Sequence, residues 1–374
     1  MNWLVDADVT EPVIAPQVAA SGGTETVITV GGRPYRVHTF TSNGTFTVTT
    51  AGKIECFLVG GGGAGGQTIG DFDYTDTGLG DGAVLIVTGG GGGGGVVNAE
   101  LNLTSTGAYT ITVGAGGQID TTMSDGVPLT DFSVLNGGDS KIALSGTDLV
   151  VAKGGGGGGV NTYPIVVDDA FFNDGQNGAS AGGGVAAMIV SDWSSDPTTV
   201  ADSFVTSGGT SILNQGTDGG DAVYAPPSES TNAQIAAVLG GGGGGAFEKG
   251  EPINFTVFTD VIEPNPSGGN GLQSSFDGTL KTYGGGGGAS LAGPGLNAIG
   301  KGGAGGGGNG ARNTFGFTVP SSAGTNGLGG GGGGAVTLVP GETLKASAGL
   351  TGVTSNQAAD GGSGVVIIRY PIEA

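Results

Sequence analysis

Runs of glycine are the feature that most restricts how this chain can fold. Eighty-eight of the 374 residues are glycine, more than three times the usual share of about 7%. Most of the excess lies in seven runs: Gly60–Gly63, Gly89–Gly95, Gly154–Gly159, Gly240–Gly245, Gly284–Gly288, Gly305–Gly308 and Gly329–Gly334. Strand-like apolar segments such as Ile54–Val59 and Ala83–Val87 lead directly into them. This arrangement predicts packed structure, and mobile glycine-rich surface loops are the alternative.

A packed glycine run has to be held by its backbone, because it has no side chains. Ordering one residue costs about 1–2 kcal/mol of conformational entropy, and glycine loses more than any other residue. Hydrogen bonds between neighbouring runs and close backbone contact can offset this cost. Extended helices with three residues per turn approach closely where no Cβ intervenes, as in collagen. The runs therefore predict a packed layer of polyglycine II helices, in which six residues span about 19 Å.

The rest of the sequence predicts β-strands. Residues 26–59 are typical of a β-meander, because alternating segments such as Tyr35–Phe40 and Thr45–Thr49 are separated by turn formers. The same pattern returns at Ala108–Val113, and the apolar run Gly364–Tyr370 predicts a strand in the middle of a sheet. No convincing helical periodicity extends beyond about ten residues. The predicted fold is all-β, an antiparallel β-sandwich combined with a packed layer of polyglycine II helices.

Residues 1–25 are predicted to form an extended N-terminal arm, followed by a glycine-rich domain over residues 26–374. The arm contains two prolines and ends near a pair of glycines, which disfavours a helix. Trp3, Leu4 and Val5 are apolar side chains close to an exposed terminus. They are candidates for docking onto a neighbouring subunit, and packing against their own domain is the alternative.

Two long segments between glycine runs, residues 160–239 and 246–283, are predicted to be surface loops. Aromatic side chains are concentrated there among turn formers. The candidate contact residues are Tyr163, Phe171, Phe172, Trp193, Tyr224, Phe255 and Phe258. A rigid scaffold that carries long aromatic and polar loops is the usual architecture for recognition.

The charge of the chain excludes several classes of partner. It has 11 Lys and Arg against 32 Asp and Glu, a formal net charge of −21. This balance argues against a nucleic-acid partner and against anionic membranes, and no apolar run approaches the roughly 18 residues of a membrane span. The N-terminus lacks the pattern of a secretory signal. The single cysteine, Cys56, precludes an internal disulfide and is expected to be a buried thiol.

Catalytic and metal-binding patterns are weak, so we expect neither an enzyme nor a cofactor. A Ser/His/Asp or Cys/His site would need the one histidine, His38, which lies in an alternating strand segment. Asp71, Asp73 and Asp76 alternate as calcium ligands do, but the remaining spacing of an EF-hand is missing. We interpret them as a solvated acidic loop, with calcium binding as the alternative. A carboxylate pair for glycoside hydrolysis stays open, because the fold sets its separation.

Three parts of the sequence resemble a known family. The segments Tyr35–Val48, Ile54–Gly63 and Asp360–Tyr370 resemble a glycine-rich domain of phage tail and fibre proteins. The repeated glycine runs are also similar to those of the tip adhesins on the long tail fibres of T-even-like phages, over roughly residues 30–370. In those adhesins, polyglycine helices form a sandwich whose intervening loops contact the host.

The resemblance implies a virion protein that is assembled in the host cytoplasm and works outside the cell. Its loops would bind a host surface glycan or an outer-membrane protein, and residues 1–25 would attach it to other virion proteins through Trp3, Leu4 and Val5. Fibres are commonly trimeric and tip adhesins can be single chains, so a homotrimer and a monomer are both open. A structural head-fibre, decoration or tail protein without receptor binding is the main alternative, and an ice-binding protein is a third.

Overall fold

The structure is a computed structural model, and it describes residues 17–69, 83–119, 132–162, 171–190, 200–212, 214–225, 237–251, 266–293, 298–314, 317–340 and 354–373. These residues form β-strands and no α-helix, with one 3-10 turn at Ser133–Leu135. The first strands are β1 (Ala19–Ser21), β2 (Thr24–Val30), β3 (Arg33–Phe40), β4 (Gly44–Thr50), β5 (Lys53–Val59), β6 (Thr68–Ile69), β7 (Ala83–Val87), β8 (Val96–Asn102), β9 (Gly107–Thr112), β10 (Ser140–Leu144), β11 (Thr147–Ala152), β12 (Asn161–Thr162) and β13 (Phe171–Phe172). The others are β14 (Ala186–Val190), β15 (Val200–Val205), β16 (Val223–Ala225), β17 (Ala237–Leu239), β18 (Leu272–Ser274), β19 (Lys281–Tyr283), β20 (Leu291–Ala292), β21 (Arg312–Asn313), β22 (Thr318–Val319), β23 (Val336–Pro340), β24 (Thr354–Asn356) and β25 (Val365–Pro371). The all-β prediction is confirmed.

Two five-stranded antiparallel sheets pack face to face and form what we call the proximal sandwich. Their strand orders are β1-β4-β9-β10-β11 and β2-β3-β25-β5-β8. Phe46, Tyr109 and Ile111 from the first sheet meet Ile54 and Ile368 from the second in one buried core. β25 lies between β3 and β5, so the prediction that this apolar strand is central is confirmed. The predicted antiparallel sandwich is confirmed as well.

The glycine runs leave the sandwich and pack side by side in what we call the glycine array. Gly60, Gly63 and Gly66 each donate a backbone hydrogen bond of 2.8–2.9 Å to residues 89–95. The residues between them donate to two further segments: Gly61 and Ala64 to residues 135–138, and Gly62 and Gly65 to residues 359–362. The hydrogen bonds therefore repeat every three residues, which is the period expected of threefold extended helices.

Residues 89–95 lie at the centre of the array. Their N–H groups donate to three neighbouring segments, and their carbonyl groups accept from three others. The six neighbours are residues 60–66, 153–159, 179–184, 240–245, 284–288 and 329–335. A Cβ built on any residue from Gly89 to Gly94 would lie within 3.0 Å of a neighbour's carbonyl oxygen, closer than real Cβ atoms come. Backbone packing on every side thus requires an unbroken glycine run here.

The outer segments of the array use Asp and Asn side chains where a backbone neighbour is missing. Asp174 Oδ1 accepts a hydrogen bond from Ser207 N–H at 3.0 Å, and Asn177 Oδ1 accepts one from Thr210 N–H at 2.8 Å. The same arrangement joins Asn136 to Gly157 (2.8 Å), Asp218 to Ser211 (2.7 Å), Asn270 to Ala304 (2.8 Å), Asn309 to Gly302 (3.0 Å), Asn326 to Ser363 (2.9 Å) and Asp360 to Ile119 (2.8 Å). Each of these Asp and Asn residues precedes a glycine. They satisfy N–H groups that would otherwise lack a protein acceptor.

A second set of sheets lies at the other end of the array, and we call it the distal sheets. Two five-stranded sheets, β15-β14-β7-β23-β24 and β16-β17-β20-β21-β22, enclose a core that includes Leu85, Met188, Val238 and Leu338. A three-stranded sheet, β13-β12-β6, completes this end. The array joins the two ends directly, since β5 leads through the first glycine run to β6 and β7 leads through the next to β8.

Candidate functional site

Buried hydroxyl groups anchor the distal sheets to the glycine array. Thr88 and Ser290 are fully buried, and Thr88 N–H donates to Ser290 Oγ at 2.8 Å. The Thr88 hydroxyl donates to the Gly66 carbonyl, and the Ser290 hydroxyl donates to the Ala335 carbonyl. Four chain segments are therefore fixed to one another where the array meets the sheets. The distal end is therefore a rigid support for the connections between its strands.

Long connections join the strands at the distal end. Residues 70–82 connect β6 to β7, 163–170 connect β12 to β13, 191–199 connect β14 to β15, 226–236 connect β16 to β17, and 341–353 connect β23 to β24. These connections lie outside the described residues, whereas the strands that flank them are paired within the distal sheets. β1 and β25, near the two ends of the described chain, lie in the proximal sandwich at the opposite end.

The distal connections are acidic in sequence. The five connections hold ten of the 32 Asp and Glu residues. They hold one of the 11 Lys and Arg residues. Much of the basic charge belongs instead to the proximal sandwich, which contains Arg33, Arg36, Lys53, Lys141 and Arg369. The charge distribution therefore disfavours anionic partners at the distal end.

Three predicted contact residues lie in distal strands. Phe172 in β13 is half-buried, and its ring stacks on Phe204 with the centroids 5.0 Å apart. Tyr224 in β16 is half-buried against the core of the distal sheets, and burial raises the pKa of its hydroxyl. Phe171 pairs with Thr162 through its backbone. Phe172 and Tyr224 thus use part of their surface to hold the distal sheets together.

The other predicted site residues lie outside the described residues. They are the contact candidates Tyr163, Trp193, Phe255 and Phe258, the docking candidates Trp3, Leu4 and Val5, and the calcium candidates Asp71, Asp73 and Asp76. Of the predicted loop 160–239, the described residues form β12 to β17 and segments of the glycine array. Of the predicted arm 1–25, residues 17–25 include β1 and the start of β2.

Phe317 is an exposed aromatic residue at the distal end that sequence reasoning did not single out. It immediately precedes β22, and 77% of its surface is exposed. Its carbonyl accepts a hydrogen bond from Thr314 N–H at 3.1 Å, which fixes the backbone that presents the ring. The sequence signal is weak, because a single phenylalanine in a short polar segment also fits a core residue. Phe317 joins the candidate contact residues.

His38 and Cys56 are structural groups of the proximal sandwich. His38 is fully buried; its Nδ1–H donates to the Gly22 carbonyl at 2.8 Å, and Nε2 lies 3.1 Å from the Tyr370 hydroxyl. Burial lowers the pKa of His38, outweighing the opposite effects of the Gly22 hydrogen bond and of the Glu25 carboxylate. The Cys56 thiol is buried and donates to the Ala99 carbonyl, and burial raises its pKa to about 12. The predicted buried thiol is confirmed, and it is not a reactive thiolate.

The part of the chain that the structure describes has neither a metal-binding cluster nor a membrane-spanning helix. No three His, Cys, Asp or Glu side chains in that part come together as metal ligands. Among the same residues there is no helix long and apolar enough to cross a bilayer.

Comparison with known proteins identifies the family. The model of a family described as a glycine-rich domain matches residues 41–371. No curated protein and no solved structure matches the chain. Since the match covers most of the sequence, the chain belongs to this glycine-rich domain family.

Proposed function

We propose that this protein is a phage virion protein, a tail-fibre or fibre-tip adhesin whose distal end recognises the host cell surface. One observation carries the proposal: the glycine array separates the proximal sandwich from the distal sheets, whose strands are joined by long connections. These connections contain Tyr163 and Trp193 and are rich in acidic residues. The motifs at Tyr35–Val48 and Asp360–Tyr370 support the assignment, because they resemble phage tail and fibre domains.

The array is suited to such a role because it is a stiff spacer. Its central run contacts six neighbours through backbone hydrogen bonds, and its outer segments are tied by Asp and Asn side chains. Binding residues are commonly found on loops that a rigid scaffold positions. The connections can vary in sequence without altering the paired strands that hold their ends or the packed glycines below.

The proposed partners follow from the charge and the polarity of the two ends. The acidic distal connections fit a neutral or basic surface, such as a host glycan without phosphate groups or the loops of an outer-membrane protein. Residues 1–25 would attach the protein to other virion proteins, with Trp3, Leu4 and Val5 as the docking side chains. Neither catalysis nor a cofactor is part of the proposal. The protein would assemble in the host cytoplasm and act outside the cell.

Binding of the purified protein to candidate host cells tests the proposal. One variant replaces residues 191–199 with an Asn-Gly turn, since β14 and β15 are antiparallel neighbours that a short turn can join. A second variant is Phe317→Ser at the distal end. The matched control is Phe247→Ser, which changes an exposed ring (64%) beside the Ala246–Gly284 hydrogen bond.

We expect the intact protein and Phe247→Ser to bind the same cells. The variant without residues 191–199 should bind at least tenfold more weakly, and Phe317→Ser should show a smaller loss. Equal binding by all four proteins would refute recognition through the distal end. Absence of binding by the intact, folded protein would instead favour a structural head-fibre, decoration or tail protein.

A further inference from the structure

Strand β2 differs from the other edge strands of the described sheets in combining length, regular pairing and an exposed apolar side chain. Sheet edges are normally blunted by short length, bulges, charges or prolines, since unpaired backbone groups invite another strand. β1, β13, β16, β22 and β24 have only two or three residues. β11 and β15 pair through register shifts, and every apolar side chain of β8 is half-buried.

β2 is long, regular and accessible by comparison. It pairs with β3 over seven residues without a register shift, from Thr24 opposite Thr39 to Val30 opposite Arg33. No other described strand pairs with it. Val27 in its middle is 59% exposed, the largest exposure of any large apolar side chain described in the proximal sandwich. Backbone groups on this edge and an apolar side chain are therefore both available to a partner strand.

The sequence of β2 indicates which strand would fit. In Thr24-Glu-Thr-Val-Ile-Thr-Val30, every residue except Glu25 is β-branched, the type of side chain that favours strand pairing. In an antiparallel pair of two β2 strands centred on Val27, Thr26 would oppose Ile28, and Glu25 would oppose Thr29 of the other copy. The two Glu25 carboxylates would not face each other, so like charges do not oppose the pairing. Each Glu25 also keeps its own partner, Arg36, at 3.8 Å.

We propose that two copies of this protein pair through β2, antiparallel and centred on Val27, to form one continuous ten-stranded sheet. Such an interface is isologous, since the same strand contributes from both sides. β2 belongs to the proximal sandwich, so pairing leaves both distal ends free. Two distal ends on one particle would raise the effective concentration of the second binding event. The pairing itself does not depend on the proposed function.

Cross-linking at defined positions tests the register. Directly opposed residues of an antiparallel pair have Cβ atoms about 4.5–5.5 Å apart, so Val27→Cys at the twofold axis should cross-link to its own copy with a short thiol reagent. Val30→Cys is the matched control, because Val30 would oppose Thr24 and lie far from the other Val30. The native Cys56 is buried and should stay unreactive. We expect a covalent dimer from Val27→Cys alone. No dimer, or equal dimers from both variants, would overturn the proposal.

Sedimentation of the full chain provides the second measurement. The intact protein should shift from monomer to dimer as its concentration rises, and Val27→Lys should remain monomeric at every concentration tested. Val205→Lys is the control, because Val205 is similarly exposed (54%) but lies in the distal sheets. A trimer, or a dimer that Val27→Lys leaves intact, would refute the pairing. Host-cell binding by monomeric Val27→Lys would show that the proposed function survives if the pairing fails.

Discussion

In the proximal sandwich, Phe46 and Tyr109 fill the space between two sheets, whereas in the glycine array the backbones themselves fill it. The sandwich keeps its sheets apart by side chains, and its stability comes largely from apolar burial. The array has no side chains at its centre, and Gly92 N–H donates to Gly156 O at 2.7 Å. Its stability has to come from hydrogen bonds and backbone contact. We therefore expect added atoms to destabilise the array and removed atoms to destabilise the sandwich.

The largest effect is expected from Gly92→Ala in the centre of the array. The added Cβ would lie within 3.0 Å of the Ser180 carbonyl, and backbone atoms on this side have no room to move. We expect a loss of more than about 4 kcal/mol in the free energy of unfolding, beyond the range of ordinary substitutions. Soluble yield and denaturant unfolding measure it.

Gly31→Ala is the control for this substitution. Gly31 has a φ of 58°, and a Cβ there would meet nothing within 4 Å. The cost is then limited to the left-handed backbone, about 1–2 kcal/mol. If Gly92→Ala lost no more stability than Gly31→Ala, the array would be packed loosely enough to accept side chains. The array and the sandwich would then not differ in the way proposed.

Removing atoms should be the more damaging change in the sandwich. Phe46 is fully buried, and its ring lies edge-on to His38 with centroids 5.1 Å apart. Phe46→Ala leaves a cavity between the sheets, for which we expect a loss of about 3–5 kcal/mol. Denaturant unfolding checks this value, with the exposed Phe317→Ala as the control expected within about 0.5 kcal/mol of the intact protein. Near-equal losses for the two variants would argue against a side-chain core.

Patterns within short stretches of sequence predicted the parts of the fold that are determined locally. Unbroken glycine marks the centre of the array, because any side chain there would collide with a neighbour. The apolar run in β25 marks a strand with neighbours on both sides. The partners of each run could not be predicted, since glycines carry no side chain that distinguishes one neighbour from another. Gly60, for example, donates to Gly95, and nothing in either run specifies that pairing.

The candidate site could be predicted less well. The stacking of Phe172 on Phe204 could not be predicted, because it is a contact between two different sheets and joins residues more than thirty positions apart in sequence. Phe317 was missed because exposure is a property of the folded distal end. The role of Asp and Asn before glycine was also not evident. Dipeptides such as Asp218-Gly219 are typical of turns, whereas here Asp218 joins neighbouring segments.

A smaller effect is expected where a side chain replaces a backbone neighbour. Asp218 Oδ1 accepts a hydrogen bond from Ser211 N–H at 2.7 Å, and this bond holds the pKa of the carboxyl below its usual range. Asp218→Asn keeps an acceptor oxygen and should leave stability nearly unchanged. Asp218→Ala removes the acceptor, and we expect a loss of about 1 kcal/mol in the free energy of unfolding. Thermal unfolding of the two variants compares them; equal losses would show that charge, and not the acceptor oxygen, matters.

The smallest effect is expected from a change in pH, which acts on the sandwich through His38, the only histidine of the chain. Burial lowers its pKa from 6.5, so the folded protein binds this proton less readily than the unfolded chain does. Stability should therefore fall as the pH drops below about 6.5, the usual value for histidine, and level off below the folded pKa. His38→Gln cannot titrate there and should lose less stability between about pH 7.5 and pH 5 than the intact protein does. Denaturant unfolding at each pH measures the difference. Parallel curves would mean that the pKa of His38 is the same in the folded and unfolded chains, with the Gly22 hydrogen bond and the Glu25 carboxylate, 3.8 Å from Nδ1, balancing the effect of burial.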